Sequence, residues 1–224
     1  YPAMNYLLIN SRPYDRRIAL MEKGRLSELI IERGDEYSIV GNLYKGRVER
    51  ILPGMQTAFV DIGTGRNGFL HVSDVRPYYA DTLWTGEEVS LEEPRKEPPR
   101  ARPTHGGSRI QDLLREGQSI LVQAVKDPMG TKGARITTRI SIPGRYLVLM
   151  PNIEKIGISR RIGQEHLRKR LREIVEKVRP SGMGLIVRTV SEEGVGERDF
   201  RRDVDYLVRL WKNIVKIYDT SESP

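Results

Sequence analysis

The chain has 224 residues, a formal net charge of +8 and no cysteine, with a sequence pI of about 9.7. That length can bury the core of one or two domains, and the lack of cysteine excludes a disulfide framework and thiolate metal sites, as fits the reducing cytoplasm expected for it. No apolar run approaches the roughly 20 residues that span a bilayer, and three scattered histidines do not suggest a zinc site.

Tyr1-Pro2-Ala3 ahead of Met4 has the look of an addition to the natural chain. Tyr6-Leu-Leu-Ile-Asn10 reads as a strand, followed by Arg17 to Met21, a turn at Glu22–Arg25 and a third strand from Leu26 to Glu32. Three such strands leave an apolar face uncovered, so they are expected to belong to a larger sheet. From Ile39 to about Ile142 the pattern predicts five short strands, over 43–52, 55–62, 67–72, 119–126 and 134–140, with Pro53-Gly54 and Gly63–Gly65 supplying the first turns. Five strands with this punctuation predict a small closed barrel. Between the third and fourth lies a long loop, 76–109, carrying Pro94, Pro98, Pro99 and Pro103; residues 92–108 are expected to be mobile.

The last third changes period. Tyr146–Met150 reads as a strand, Leu167, Leu171, Ile174, Val175 and Val178 repeat at helical spacing, and a second, longer amphipathic helix runs from about Asp199 to Tyr218. Between the helices, Leu185-Ile-Val187 forms a brief strand that delivers Arg188 and Thr189 to a strand–loop junction, with Gly182 and Gly184 ahead of it allowing close backbone approach. The fold class is therefore α+β, with a five-stranded barrel set into an α+β region. Residues 144–218 hold 17 Lys/Arg against 10 Asp/Glu, so nearly all of the positive excess sits in this last third. A polyanionic partner and an ordinary solvated surface both remain open on charge alone.

Two groups of residues carry candidate chemistry. An arginine beside a hydroxyl suits a phosphate, because the guanidinium fork takes two oxygens and the hydroxyl can take a third; the same pair could merely solvate an edge. In the barrel, alternation puts Ala58, Val60 and Ile62 on one face of their strand and Phe59 on the other, and likewise separates Phe69 from Leu70 and Val72. Two of only three phenylalanines then face outward near Lys45, Arg47 and Lys132, an arrangement suited to stacking on bases.

Gly68-Phe-Leu-His-Val-Ser-Asp74 resembles the central motif of S1 RNA-binding domains, which are barrels of the oligonucleotide-binding type. Leu8-Ile-Asn10, Asn42–Val48, Ala58–Asp61, Lys132–Thr138, Tyr146–Pro151, Gly157–Arg161 and Gly184–Thr189 together resemble, in order, the ribonuclease E/G family. That resemblance implies a layout of N-terminal strands of an RNase H-like subdomain over 1–38, an S1 domain over 39–143, a 5′ sensor over 144–198 and a helix over 199–224 returning to the RNase H-like subdomain. It implies that Arg188 and Thr189 grip a 5′-terminal monophosphate, with Val148 under the first nucleotide, Gly144 giving backbone room and Arg160 adding positive field. An ion pair of Arg160 or Arg161 with Glu154 or Glu165 is the alternative. Phe59, Phe69, Lys132 and Lys45 would contact RNA.

The implied function is the RNA-binding, 5′-monophosphate-sensing part of a single-strand-specific endoribonuclease of RNA processing and mRNA decay. The parent would be a magnesium-dependent, homo-oligomeric enzyme, open to other RNA-decay proteins. Its two catalytic aspartates are expected downstream of the sensor, so the chain by itself is expected to bind RNA without cutting it and to need no cofactor. Asp199 and Asp203 read as helix-start and surface charges, and Asp61 and Asp74 as isolated. The acidic run Glu192–Glu197 is more negative than a phosphate site invites. The rival reading is a stand-alone S1-type module in translation or RNA decay; a phosphate-binding metabolic enzyme lacks a catalytic constellation.

Overall fold

The computed structural model describes residues 5–12, 15–33, 38–75, 109–192 and 194–224, the side chains of Glu32 and Arg33 excepted. The N-terminal tripeptide and the stretch 92–108 expected to be mobile lie outside the described residues. The chain divides into two units, 1–39 and 40–224.

The first unit is an antiparallel meander of β1 (Tyr6–Ser11), β2 (Asp15–Glu22) and β3 (Arg25–Arg33). Lys23 and Gly24 both take positive φ, the backbone a two-residue hairpin turn requires. Successive apolar residues Leu7, Leu8 and Ile9 are 55%, 55% and 63% exposed. Neighbours along a strand point to opposite sides, so both faces of this sheet, rather than the one expected, present apolar side chains.

In the second unit, β4 (Leu43–Leu52), β5 (Thr57–Asp61), β6 (Gly68–His71), β7 (Ser119–Lys126) and β8 (Arg135–Thr137) close a barrel in the order β4-β5-β6-β8-β7, of the oligonucleotide-binding type. All pairings are antiparallel except β6 with β8. Val48, Val60, Leu70, Ile120, Val122 and Ile136 fill the interior with no exposure. The short helix α1 (Ile110–Leu113), unforeseen in the sequence, leads into β7. Its first N–H donates to Gln56 Oε1 (3.0 Å). Buried Gln123 ties the two ends of the barrel segment: its amide donates to Gly41 O (3.1 Å) and Ser141 O (2.9 Å), and its Oε1 accepts from Ser141 N (2.9 Å). A buried amide satisfied on both sides in this way fixes where the chain joins and leaves the barrel.

A second sheet follows, ordered β11-β12-β10-β9, from β9 (Ile142–Pro143), β10 (Leu147–Met150), β11 (Ile156–Ile158) and β12 (Gly184–Val187). The sequence pattern flagged β10 and β12 but not β9 or β11, whose two and three residues are too few for alternation to register. Helices α2 (Glu165–Val178) and α3 (Glu197–Thr220) share one core with this sheet. Their spacing explains why: Leu171, Val175 and Val178 on α2, and Phe200, Val204, Leu207 and Trp211 on α3, recur every three or four residues and are buried. They meet Leu147, Leu149, Leu185 and Val187 from the sheet. Gly184 answers to close packing: a Cβ there would sit 2.0 Å from Ile153 O, so only glycine lets β12 start against that loop. No described helix is long and apolar enough to cross a membrane.

Leu185 has no exposure. Leu185→Ala is therefore expected to destabilise the chain by about 2 to 5 kcal/mol in urea unfolding followed by far-UV circular dichroism, through lost burial and the cavity left behind. Tyr206→Ala, at a position 54% exposed on α3, should change stability by less than about 0.5 kcal/mol in the same assay.

Candidate functional site

The barrel carries the first group. In β5, Ala58 and Val60 are buried while Phe59 and Asp61 are half-buried on the outer face; in β6, Leu70 is buried and Phe69 half-buried. Phe59 and Phe69 are direct cross-strand partners, with ring centroids 6.2 Å apart and planes at 69°, an edge-to-face pair. Register extends the row on both sides, because Arg50 of β4 pairs with Phe59 and Arg135 of β8 pairs with Phe69. The β4–β5 register shifts between Val48 and Arg50, so Arg47, opposite Asp61, and Arg50 both flank the outer face of β5. Two rings bracketed by two guanidinium groups therefore cross four strands at one level.

Arg135 is held in place by Asp74, which accepts from Nε (3.1 Å) and Nη2 (2.8 Å). The Asp74 carbonyl accepts from Thr138 N (3.0 Å) and the Thr137 hydroxyl (3.0 Å), locking β8 to the end of the β6 segment. Asp74 is thus a structural partner rather than an isolated acid. His71 Nδ1 accepts from Ser73 N (3.2 Å) and lies 2.7 Å from Ser73 Oγ. With Nδ1 an acceptor, the neutral ring carries its proton on Nε2, as assigned from this hydrogen-bond pattern. Sequence reasoning missed Arg50 and Arg135; only the strand register, with its shift at β4, aligns them with the rings.

Lys132 is exposed in the β7–β8 turn, where Met129 and Lys132 form an isolated bridge. Lys45 requires a correction. Its ammonium donates to Tyr218 O (2.8 Å) and Ser221 O (2.6 Å) and lies 4.5 Å from the Tyr218 ring centroid. A cation there compensates the carbonyl end of α3. Lys45 is thus engaged at the helix terminus. Burial, and secondarily the Asp219 charge, raise the Tyr218 phenol above its ordinary value.

The second group lies on the β11-β12-β10-β9 sheet. Val148 pairs with Ile186, Ile186 with Gly157, and Val148 with Pro143. These half-buried or exposed residues line the face opposite the helices, a shallow apolar floor. Arg188 and Thr189 follow β12 at its edge. Arg188 N donates to Tyr146 O (2.9 Å), and its Nη1 donates to Gly144 O. Thr189 Oγ1 lies 3.0 Å from Ser159 Oγ, and Ser159 N donates to Val187 O (2.9 Å). The structure therefore brings Gly144, Val148, Arg188 and Thr189 together and adds Ser159, which the sequence had not singled out. Exposed Arg160 follows Ser159 directly. The acids suggested as its alternative partners are engaged elsewhere: Glu154 with Arg179 (3.1 Å) and Glu165 with Arg168 (3.9 Å).

Asp203 also departs from expectation. It is a buried residue, 9% exposed, rather than a surface charge. Its Oδ1 accepts from Arg145 N (3.1 Å), and its Oδ2 accepts from Tyr146 N (2.8 Å) and Leu147 N (2.9 Å). A Cβ on Gly144 would stand 2.7 Å from both carboxylate oxygens, so a side chain there would push against Asp203. Asp199 accepts from Gly196 N (3.1 Å) at the start of α3, and Glu197 pairs with Arg201 (2.8 Å), which accounts for part of the acidic run; Glu193 lies outside the described residues. Among the described residues no three His, Asp or Glu side chains converge as metal ligands would.

Arginine, paired hydroxyls and an apolar floor suit a phosphorylated end followed by a base; rings between arginines suit the bases and backbone of an extended strand. A sequence model of the ribonuclease E/G family matches residues 141–224. The chain is 45% identical over 210 residues to ribonuclease G of Escherichia coli K12 and 43% identical to ribonuclease G of Haemophilus influenzae. It is 38% identical over 207 residues to ribonuclease E of Synechocystis. Each match covers more than nine-tenths of this chain, which spans 40% of the length of the ribonuclease G relatives and 27% of that ribonuclease E. The chain belongs to the ribonuclease E/G family.

Proposed function

We propose that this chain is the RNA-binding, 5′-end-sensing part of an endoribonuclease that acts on single-stranded RNA in RNA processing and decay. The observation that carries the proposal is the anchored guanidinium of Arg188. With Nη1 tied to Gly144 O and the backbone tied to Tyr146 O, the guanidinium is held where β12 ends, and the Thr189 and Ser159 hydroxyls meet at the same strand end. A 5′-monophosphate has terminal oxygens for such a fork and more charge than an internal phosphodiester, whereas a 5′-hydroxyl leaves the donors unmatched. Val148 and Ile186 then support the first nucleoside, and Arg160 adds positive field. In the barrel, Phe59 and Phe69 stack bases, while Arg50, Arg135 and Lys132 meet phosphates. Residues 1–38 contribute strands to a larger RNase H-like sheet, 39–143 form the S1 domain, 144–198 the sensor, and 199–224 the helix returning to that sheet.

Cleavage is assigned to the parent protein rather than to this chain. Asp74, Asp199 and Asp203 are each committed to a structural partner, and magnesium, where the parent uses it, would activate water at carboxylates elsewhere. The parent's homo-oligomer and its other RNA-decay partners belong to the same proposal.

The test is a pair of titrations with one oligoribonucleotide bearing either a 5′-monophosphate or a 5′-hydroxyl. The monophosphate form is expected to bind more tightly, and Arg188→Ala should abolish the difference; equal affinities for the unaltered chain would end the sensor reading. The preference should shrink as pH falls through about 6, where the terminal phosphate regains its second proton and loses charge.

Phe59→Ala acts on the body of the strand and should weaken both ligands alike, by about 1 to 3 kcal/mol in the same titration. A loss confined to the phosphorylated ligand would contradict the division of labour between barrel and sensor.

A further inference from the structure

We infer that Asp203 is a positioning residue for 5′-end selectivity, acting through the turn 144–147 on the Arg188 guanidinium. The inference rests on Arg188 being the group that takes the terminal phosphate.

Asp203 reaches the turn from α3, 56 to 58 residues away in sequence, and accepts three consecutive backbone N–H groups, those of Arg145, Tyr146 and Leu147. The opposite ends of the same peptide units hold the sensor arginine. The carbonyl of Tyr146 accepts from Arg188 N (2.9 Å) and from the Ser191 hydroxyl (3.1 Å), and the carbonyl of Gly144 accepts from Arg188 Nη1. One buried carboxylate thus fixes the donor side of the turn while Arg188 is fixed by its acceptor side. If the turn rotates, both anchors of the guanidinium rotate with it. Gly144 closes the arrangement, because any side chain there would strike the carboxylate.

The turn needs an acceptor-only group. An ionised carboxylate offers lone pairs on both oxygens to three N–H donors; an asparagine amide offers one oxygen and sets an NH2 group against the remaining N–H groups. Asp203→Asn is nearly isosteric and leaves the helix intact, yet leaves at least one buried donor facing another. The turn must shift to relieve this, and Gly144 O and Tyr146 O move away from Arg188.

The test uses the 224-residue chain and the two oligoribonucleotides that differ only at the 5′ end. Asp203→Asn is expected to lower the affinity ratio by roughly tenfold, the size of one lost charge-assisted contact. Affinity for the 5′-hydroxyl ligand should be unchanged, which serves as the control for a folded barrel. If Arg188→Ala removes the preference while Asp203→Asn keeps it, the inference fails and the sensor reading stands. If Arg188→Ala keeps the preference, both fall together. Should Asp203→Asn lose its cooperative melting transition, Asp203→Glu decides, because it keeps an acceptor-only carboxylate and displaces it by one methylene from the three N–H groups. A lowered ratio with intact hydroxyl binding supports the inference, and an unaltered ratio overturns it.

Discussion

The antiparallel pairing of β10 with β12 is the constraint on which the rest of the second sheet depends. Its register, Leu147 opposite Val187 through Met150 opposite Gly184, decides which side chains enter the core and which form the open face. With this register Leu147, Leu149, Leu185 and Val187 meet the helices, and Val148 and Ile186 stay on the other side. A slip of one residue would bury the wrong set and carry Arg188 away from Tyr146 and Gly144. The register is held from outside the sheet as well. Gly184 admits the backbone of Ile153 and Lys155, and Asp203 pins the residues just before β10. The same contacts that stabilise the sheet therefore aim the candidate phosphate donors.

The barrel solves a related problem with strand register instead of a buried charge. A regular alternation in β4 would set Arg47 and Glu49 on the outer face and turn Arg50 inward. The shift between Val48 and Arg50 restores an outward arginine opposite Phe59, while Val48 remains fully buried. The freed Glu49 accepts from the Asn67 amide (2.5 Å). Together with the parallel contact of β6 and β8, this yields the row of two rings between two arginines. Such a row combines apolar area for bases with fixed charges for backbone, two contributions that respond differently to salt.

Lys45 and Asp203 link α3 to the two groups in opposite senses. The lysine of β4 takes the carbonyl end of the helix, and the aspartate near the helix start takes three N–H groups of the 145–147 turn. A single rigid helix of 24 residues thus touches the barrel at one end and the turn before β10 at the other. The lysine and the aspartate both resemble surface charges in the sequence, yet each is consumed by backbone groups far away along the chain.

Local pattern determined the parts that depend on near neighbours. Alternation in Thr57–Ile62 and Asn67–Val72 sufficed to place Phe59 and Phe69 outside a barrel of five strands, and helical spacing sufficed for α2 and α3. The ordered motifs carried the family, and with it Arg188, Thr189, Val148 and Gly144 as candidates. What the sequence could not decide was pairing at a distance. Arg50 and Arg135 join the rings through strand register, β9 and β11 are too short to show a period, and Lys45 meets carbonyls at the end of α3. Asp203 is the clearest case: only the packing of α3 on the sheet buries it, and only burial among N–H donors turns a helix-surface acid into the anchor of the turn before β10. Periodicity records which way a residue faces; the groups that meet it are chosen by contacts between segments that the order of residues does not encode locally.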